Sequence, residues 1–78
     1  MRYKQYSVVK LKVLNKSFAE SDISLGDRVP KEGDLAAIVE VYGFPSLGYE
    51  LECSNKNGIT EWLATFSPED AEFDLVSE

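Results

Sequence analysis

Polar and apolar residues alternate along much of this chain with a period of two, the spacing of a strand with one face buried. In residues 5–14, Val9, Leu11 and Val13 alternate with Val8, Lys10 and Lys12. In residues 49–54, Tyr49, Leu51 and Cys53 face one way, and Glu50, Glu52 and Ser54 face the other. In residues 59–66, Thr60, Trp62, Ala64 and Phe66 share a side. Residues 35–42 are apolar at nearly every position. That pattern leaves the register open and predicts a strand covered on both faces or strongly curved.

The turns between these runs set their pairing. Asn57-Gly58 is the strongest hairpin signal, because a type I′ turn needs positive φ at both central residues. It pairs Lys56 with Ile59, Cys53 with Trp62, Leu51 with Ala64 and Tyr49 with Phe66, placing all the apolar partners on one face. A turn at Lys56-Asn57 would instead set Glu52 opposite Glu61, a like-charge pair that destabilises by about a few tenths of a kcal/mol or more. Ser67-Pro68-Glu69-Asp70 joins an N-cap residue, a proline at the first helical position and an acid three residues after the cap. It predicts one 3-10 turn before a short last strand on which Ala71, Phe73 and Leu75 alternate. Residues 43–48 form a loop punctuated by Gly43, Pro45 and Gly48. Residues 15–33 show no period and carry scattered Phe18, Ile23, Leu25 and Val29. They are expected to fold back over one end of the barrel, with a short hairpin around residues 25–29 as the regular element they could hold. The expected fold is all-β: a five-stranded barrel over residues 1–78, with a long first loop and one 3-10 turn before the last strand.

Charge changes the picture. The chain of 78 residues carries a net charge of −6. Residues 1–33 hold seven Lys or Arg and four Asp or Glu, whereas residues 34–78 hold one Lys and ten acids. Such a field repels phosphate backbones and attracts basic surfaces. One domain of this length has a stability margin on the order of 5 kcal/mol. No apolar run approaches the roughly 20 residues of a membrane-spanning helix, and residues 1–6 are not followed by the apolar stretch of a signal peptide. With one cysteine, no internal disulfide forms. A cytoplasmic protein without a membrane partner, monomeric or a small homo-oligomer, is expected.

The run Gly33-Asp34, Ile38 to Tyr42 (Ile-Val-Glu-Val-Tyr), Gly48 to Glu52 and Ser67 to Asp70 resembles a known pattern. It is similar to SH3-like barrels, to the core strand of KOW-type barrels, and more closely to a small bacterial family of domains of unknown function. Members of that family run Gly-Asp-x-Gly-x-Ile-Val-Glu-Val-Tyr, then Gly-Tyr-Glu-Val-Glu-Phe, then a threonine-rich strand and Ser-Pro-Glu-Asp. Tyr6 to Leu11 also fits, so the resemblance covers most of the chain outside the long loop. One departure is Ala36, which stands where the family and KOW domains have a second glycine. This weakens a nucleic-acid role borrowed from KOW domains, since glycine permits a tight bend or a close backbone approach. In size and charge the chain is similar to immunity proteins and antitoxins.

The candidate chemistry is sparse. There is no histidine, which removes the commonest general base and transition-metal ligand. Cys53 sits on the apolar face of its strand and reads as a buried small hydrophobe. Trp62 reads as core in the chosen register, and as an interface anchor if exposed. Glu50, Glu52 and Glu61 are expected on one exposed surface, with Tyr42 and Phe44 near by. Three carboxylates also suit a hard cation or an acid–base pair, but no pocket-forming motif accompanies them. The expected function is therefore a non-enzymatic module, without catalytic residues, metal or cofactor, that docks a basic protein on its acidic face, as an immunity protein or antitoxin would. The alternative is an SH3-like or KOW-like module contacting RNA through Lys10 and Lys12, in a basic strip with Lys4 and Lys16. Binding by counterion release is weak for so short a strip on an acidic chain.

Overall fold

The computed structural model describes residues 3–44 and 46–78. Pro45, part of the expected loop punctuation, lies outside them, as do Met1 and Arg2. Among the described residues, six strands form one antiparallel sheet: β1 (Val8–Leu14), β2 (Ile23–Gly26), β3 (Leu35–Tyr42), β4 (Gly48–Ser54), β5 (Thr60–Phe66) and β6 (Ala71–Ser77). Their order across the sheet is β2-β5-β4-β3-β1-β6. A 3-10 turn at Pro68–Asp70 precedes β6, as the sequence predicts. There the Asp70 carboxylate accepts the Ser67 amide at 2.9 Å. Among the described residues, no helix is long and apolar enough to cross a membrane.

The sheet curls until its distant strands meet. Phe66 on β5 and Phe73 on β6 lie 5.8 Å apart between ring centroids, although β4, β3 and β1 intervene in the sheet. Val9, Leu11, Ile38, Tyr49, Leu51, Trp62, Ala64 and Phe66 fill the concave side and are essentially inaccessible to solvent. Trp62 is thus core, and Cys53 is buried beside it. The same alternation that makes each strand amphipathic gathers these residues on one face.

The structure differs from a closed five-stranded barrel. It is an open sheet, and the additional strand is β2, inside the long loop. Ile23 pairs with Ala64 and packs on the core, so the loop runs along the edge of β5 rather than forming a hairpin at residues 25–29. Phe18, earlier in the loop, stacks on Phe66 at 4.7 Å. β1 starts at Val8 rather than at residue 5 because Tyr6 is left-handed, with φ 72°. Few non-glycine residues adopt that conformation, and it interrupts an extended strand.

Two bulges explain what the polarity pattern leaves open. On β3, Ile38 pairs with Leu51 while Glu40 pairs with Glu50, so Val39 is an extra residue. The bulge reverses the alternation: Ala36 and Ile38 face the core before it, and Val41 packs on the core after it. A strand that changes parity midway shows no period. On β5, Cys53 pairs with Trp62 and Ser54 with Thr60, which leaves Glu61 as the extra residue. The expected pairs Tyr49–Phe66, Leu51–Ala64 and Cys53–Trp62 all form. The turn itself differs from type I′. Only Gly58 has positive φ (80°), and the Asn55 side chain accepts the amides of Asn57 and Ile59 at 2.8 and 3.1 Å. The turn is therefore one residue longer than expected, and the bulge at Glu61 absorbs the difference.

Candidate functional site

The convex face of β3 and β4 carries the acids that alternation directs outward. Glu50 lies on β4 directly across from Glu40 on β3. The Tyr42 hydroxyl donates to Glu50 Oε1 at 2.8 Å. That hydrogen bond, with the charges of Glu50 and Glu40, pushes the Tyr42 hydroxyl above its ordinary pKa. Glu52, one alternation further along β4, accepts the Thr60 hydroxyl. Tyr42 is 41% exposed, and Phe44, just beyond β3, is 91% exposed. The structure thus brings Tyr42 and Glu50 together with Glu40, which the polarity pattern does not place there, and Glu52 follows on the same strand, while Phe44 is exposed in the loop beyond β3. Among the described residues, no Lys or Arg forms an ion pair with Glu40, Glu50 or Glu52.

Glu61 does not belong to that group. Alternation had set it beside Glu50 and Glu52, but its bulge turns it to Arg28, whose Nε donates to Glu61 Oε1 at 2.8 Å. Arg28 also grips Asp34 with both terminal nitrogens, at 2.9 and 3.1 Å. Asp34 is buried and further accepts the Lys31 amide at 3.0 Å and the Trp62 indole N–H at 2.9 Å. Burial alone would raise the Asp34 pKa. Arg28, the Lys31 amide and the Trp62 indole outweigh it and hold the carboxyl below its ordinary value. Asp34, in turn, is the main cause that raises the Arg28 pKa. Cys53 lies 3.7 Å from Arg28 Nη2, and burial pushes its thiol up, the opposite of what a nucleophile needs.

This network fastens the end of the long loop to β5. No buried side-chain nitrogen or oxygen among the described residues lacks a hydrogen-bond partner. The polarity pattern points to no role for Arg28 or Asp34. The available signal was the Gly33-Asp34 pair, an acid beside a turn glycine at the entry to β3. Among the described residues, no group of three or more candidate ligands could hold a metal ion.

The lysines of the expected basic strip lie near acids of β6 and the C-terminal end. Lys10 and Lys12 are exposed on β1, but Lys10 pairs across the sheet with Asp74, and Glu72 lies opposite Val13. Lys4 meets Glu78 at 3.5 Å, and Lys16 lies over the Phe18 ring at 4.8 Å. These acids offset the field that would attract a phosphate backbone.

No family model, curated protein or solved structure matches the chain.

Proposed function

We propose that this chain is a non-enzymatic protein-binding module that docks a basic partner on the convex face of β3 and β4. Glu40, Glu50 and Glu52 supply the charge, and Tyr42 and Phe44 supply apolar contact. Its most concrete form is a neutraliser of a basic toxin or nuclease, in the manner of an immunity protein or antitoxin. The observation that carries this reading is the pairing of Glu40 with Glu50 across the ladder. Like charges directly opposite destabilise a sheet, and a partner's Lys or Arg would relieve the repulsion. Acidic groups on such a face raise association rates with a basic protein, and exposed aromatics are frequent anchors of interfaces. The SH3-like reading of the sheet belongs to the same proposal. Its support is the run of β3, β4 and β5 as consecutive antiparallel neighbours, with a 3-10 turn before the last strand.

The test is charge reversal. E40K/E50K is expected to lose a partner that the unaltered chain retains from its native host, and to slow association with the identified partner at least tenfold at low salt. Equal retention and an unchanged association rate would refute the reading.

A further inference from the structure

We propose that the outer edge of β2 is a docking site for an extended basic segment of a partner protein, which adds to the sheet as a strand beside Ile23–Gly26. This goes beyond the convex face of β3 and β4, because β5 and β4 separate β2 from β3 in the sheet. Among the described residues β2 ends the strand order, so one of its edges is unpaired there. The Asp27 amide donates to the Glu61 carbonyl at 3.0 Å. In an antiparallel ladder, backbone groups point alternately toward and away from the neighbour. Gly26, one residue earlier, therefore turns its N–H and C=O away from β5, toward an incoming strand.

The edge is open and held in place. Ser24, Leu25 and Gly26 are exposed, and a groove of about 370 Å³ runs along them between Glu20 and Asp27. Leu25 is 58% exposed and pairs with Leu63, so an apolar contact for alternate side chains of an added strand is present. Immediately after β2, Arg28 is clamped by Asp34 and Glu61. The edge is irregular, with a register shift between Ile23 and Leu25 and Gly26 at φ 113°, but the clamp on Arg28 holds its end in place, so less chain remains to be ordered when a ligand adds to it.

Charge selects the occupant. Glu20 and Asp27 flank the groove, and Arg28, the nearest cation in sequence, is turned inward to Asp34 and Glu61. A second copy fits poorly. β2 against β2 brings these acids together, and the other free edge, β6, carries exposed Glu72 and Asp74. Acids on a short edge are a device against self-pairing; the same device leaves a Lys- or Arg-bearing strand as the complementary one.

The test is an NMR titration of the full chain with blocked eight-residue peptides. The first alternates lysine and valine. The second has proline in place of alternate valines, which keeps the charge but prevents strand pairing. The third has glutamate in place of lysine. The lysine–valine peptide is expected to shift amides in residues 20–27 and in β5, and to slow exchange of the Gly26 amide at least tenfold. The other two peptides are expected to do neither. E20K/D27K should weaken binding at least tenfold, whereas E40K/E50K should leave it unchanged, so this site and the β3–β4 face fail independently. Absence of shifts, shifts centred on Glu40 and Glu50, or equal binding of the proline peptide would overturn the proposal.

Discussion

Asp34 ties the long loop to the core strand β5 from a buried position. Its carboxylate accepts from Arg28, from the Lys31 amide and from the Trp62 indole. Removing one partner of a buried ion pair leaves the other uncompensated and costs about 3–5 kcal/mol. Asp34→Ala is therefore expected to destabilise by about 3 kcal/mol at neutral pH, a large part of the total for a chain this short. Urea denaturation followed by Trp62 fluorescence measures it. The pH dependence has a definite sign. The folded pKa of Asp34 is depressed below 3.8, so its stabilising contribution is fully present above the unfolded value. The contribution is lost as pH falls through the folded value. The stability gap between the unaltered chain and D34N should be constant from about pH 7 to pH 5 and narrow below about pH 4. A gap that stays constant down to pH 2 would show that Asp34 ionisation contributes nothing.

At the scale of elements, strand β2 depends on Gly26. Its φ is +113°, and an added Cβ would lie 2.2 Å from the Glu61 carbonyl oxygen. Gly26→Ala must therefore push β2 away from β5, and should cost well over about 1 kcal/mol, since alanine at positive φ is strained even without a clash. Faster amide exchange confined to residues 23–27 and the facing part of β5 checks this; uniform protection would contradict it. The same region marks the limit of what the sequence discloses. The pairs Tyr49–Phe66, Leu51–Ala64 and Cys53–Trp62 were legible because three alternating apolar residues on each strand face a common core. β2 was not, because only Ile23 of its four residues packs inward and its partner lies some forty positions away. The bulge at Glu61 was hidden for a related reason. Asn55, by accepting two turn amides with its side chain, lengthens the turn without changing the polarity pattern. Arg28 and Asp34 sit in a segment with no period, and their roles follow only once β5 is beside them.

For the whole molecule, charge is partitioned by the curled sheet. Two acids, Asp34 and Glu61, are taken into the fold by Arg28, while Glu40, Glu50 and Glu52 remain on the convex face. This partition separates stability from binding. Glu50→Lys replaces a like-charge cross-strand pair with an opposite-charge one, and should leave stability unchanged or raise it by about 0.2–1 kcal/mol while weakening partner binding. A thermal melt of E50K beside the unaltered chain checks the first half; a fall in Tm would show that Glu50 supports the fold instead. Glu61→Gln should do the reverse, lowering stability by loosening the Arg28 clamp while leaving the docking face intact.

The most direct measurement uses three baits in parallel in native-host extract: the unaltered chain, E40K/E50K and E61Q, with each retained protein identified and its association rate then measured. A basic protein is expected to be held by the unaltered chain and by E61Q, and lost by E40K/E50K. Retention by all three baits, or loss with E61Q alone, would contradict it.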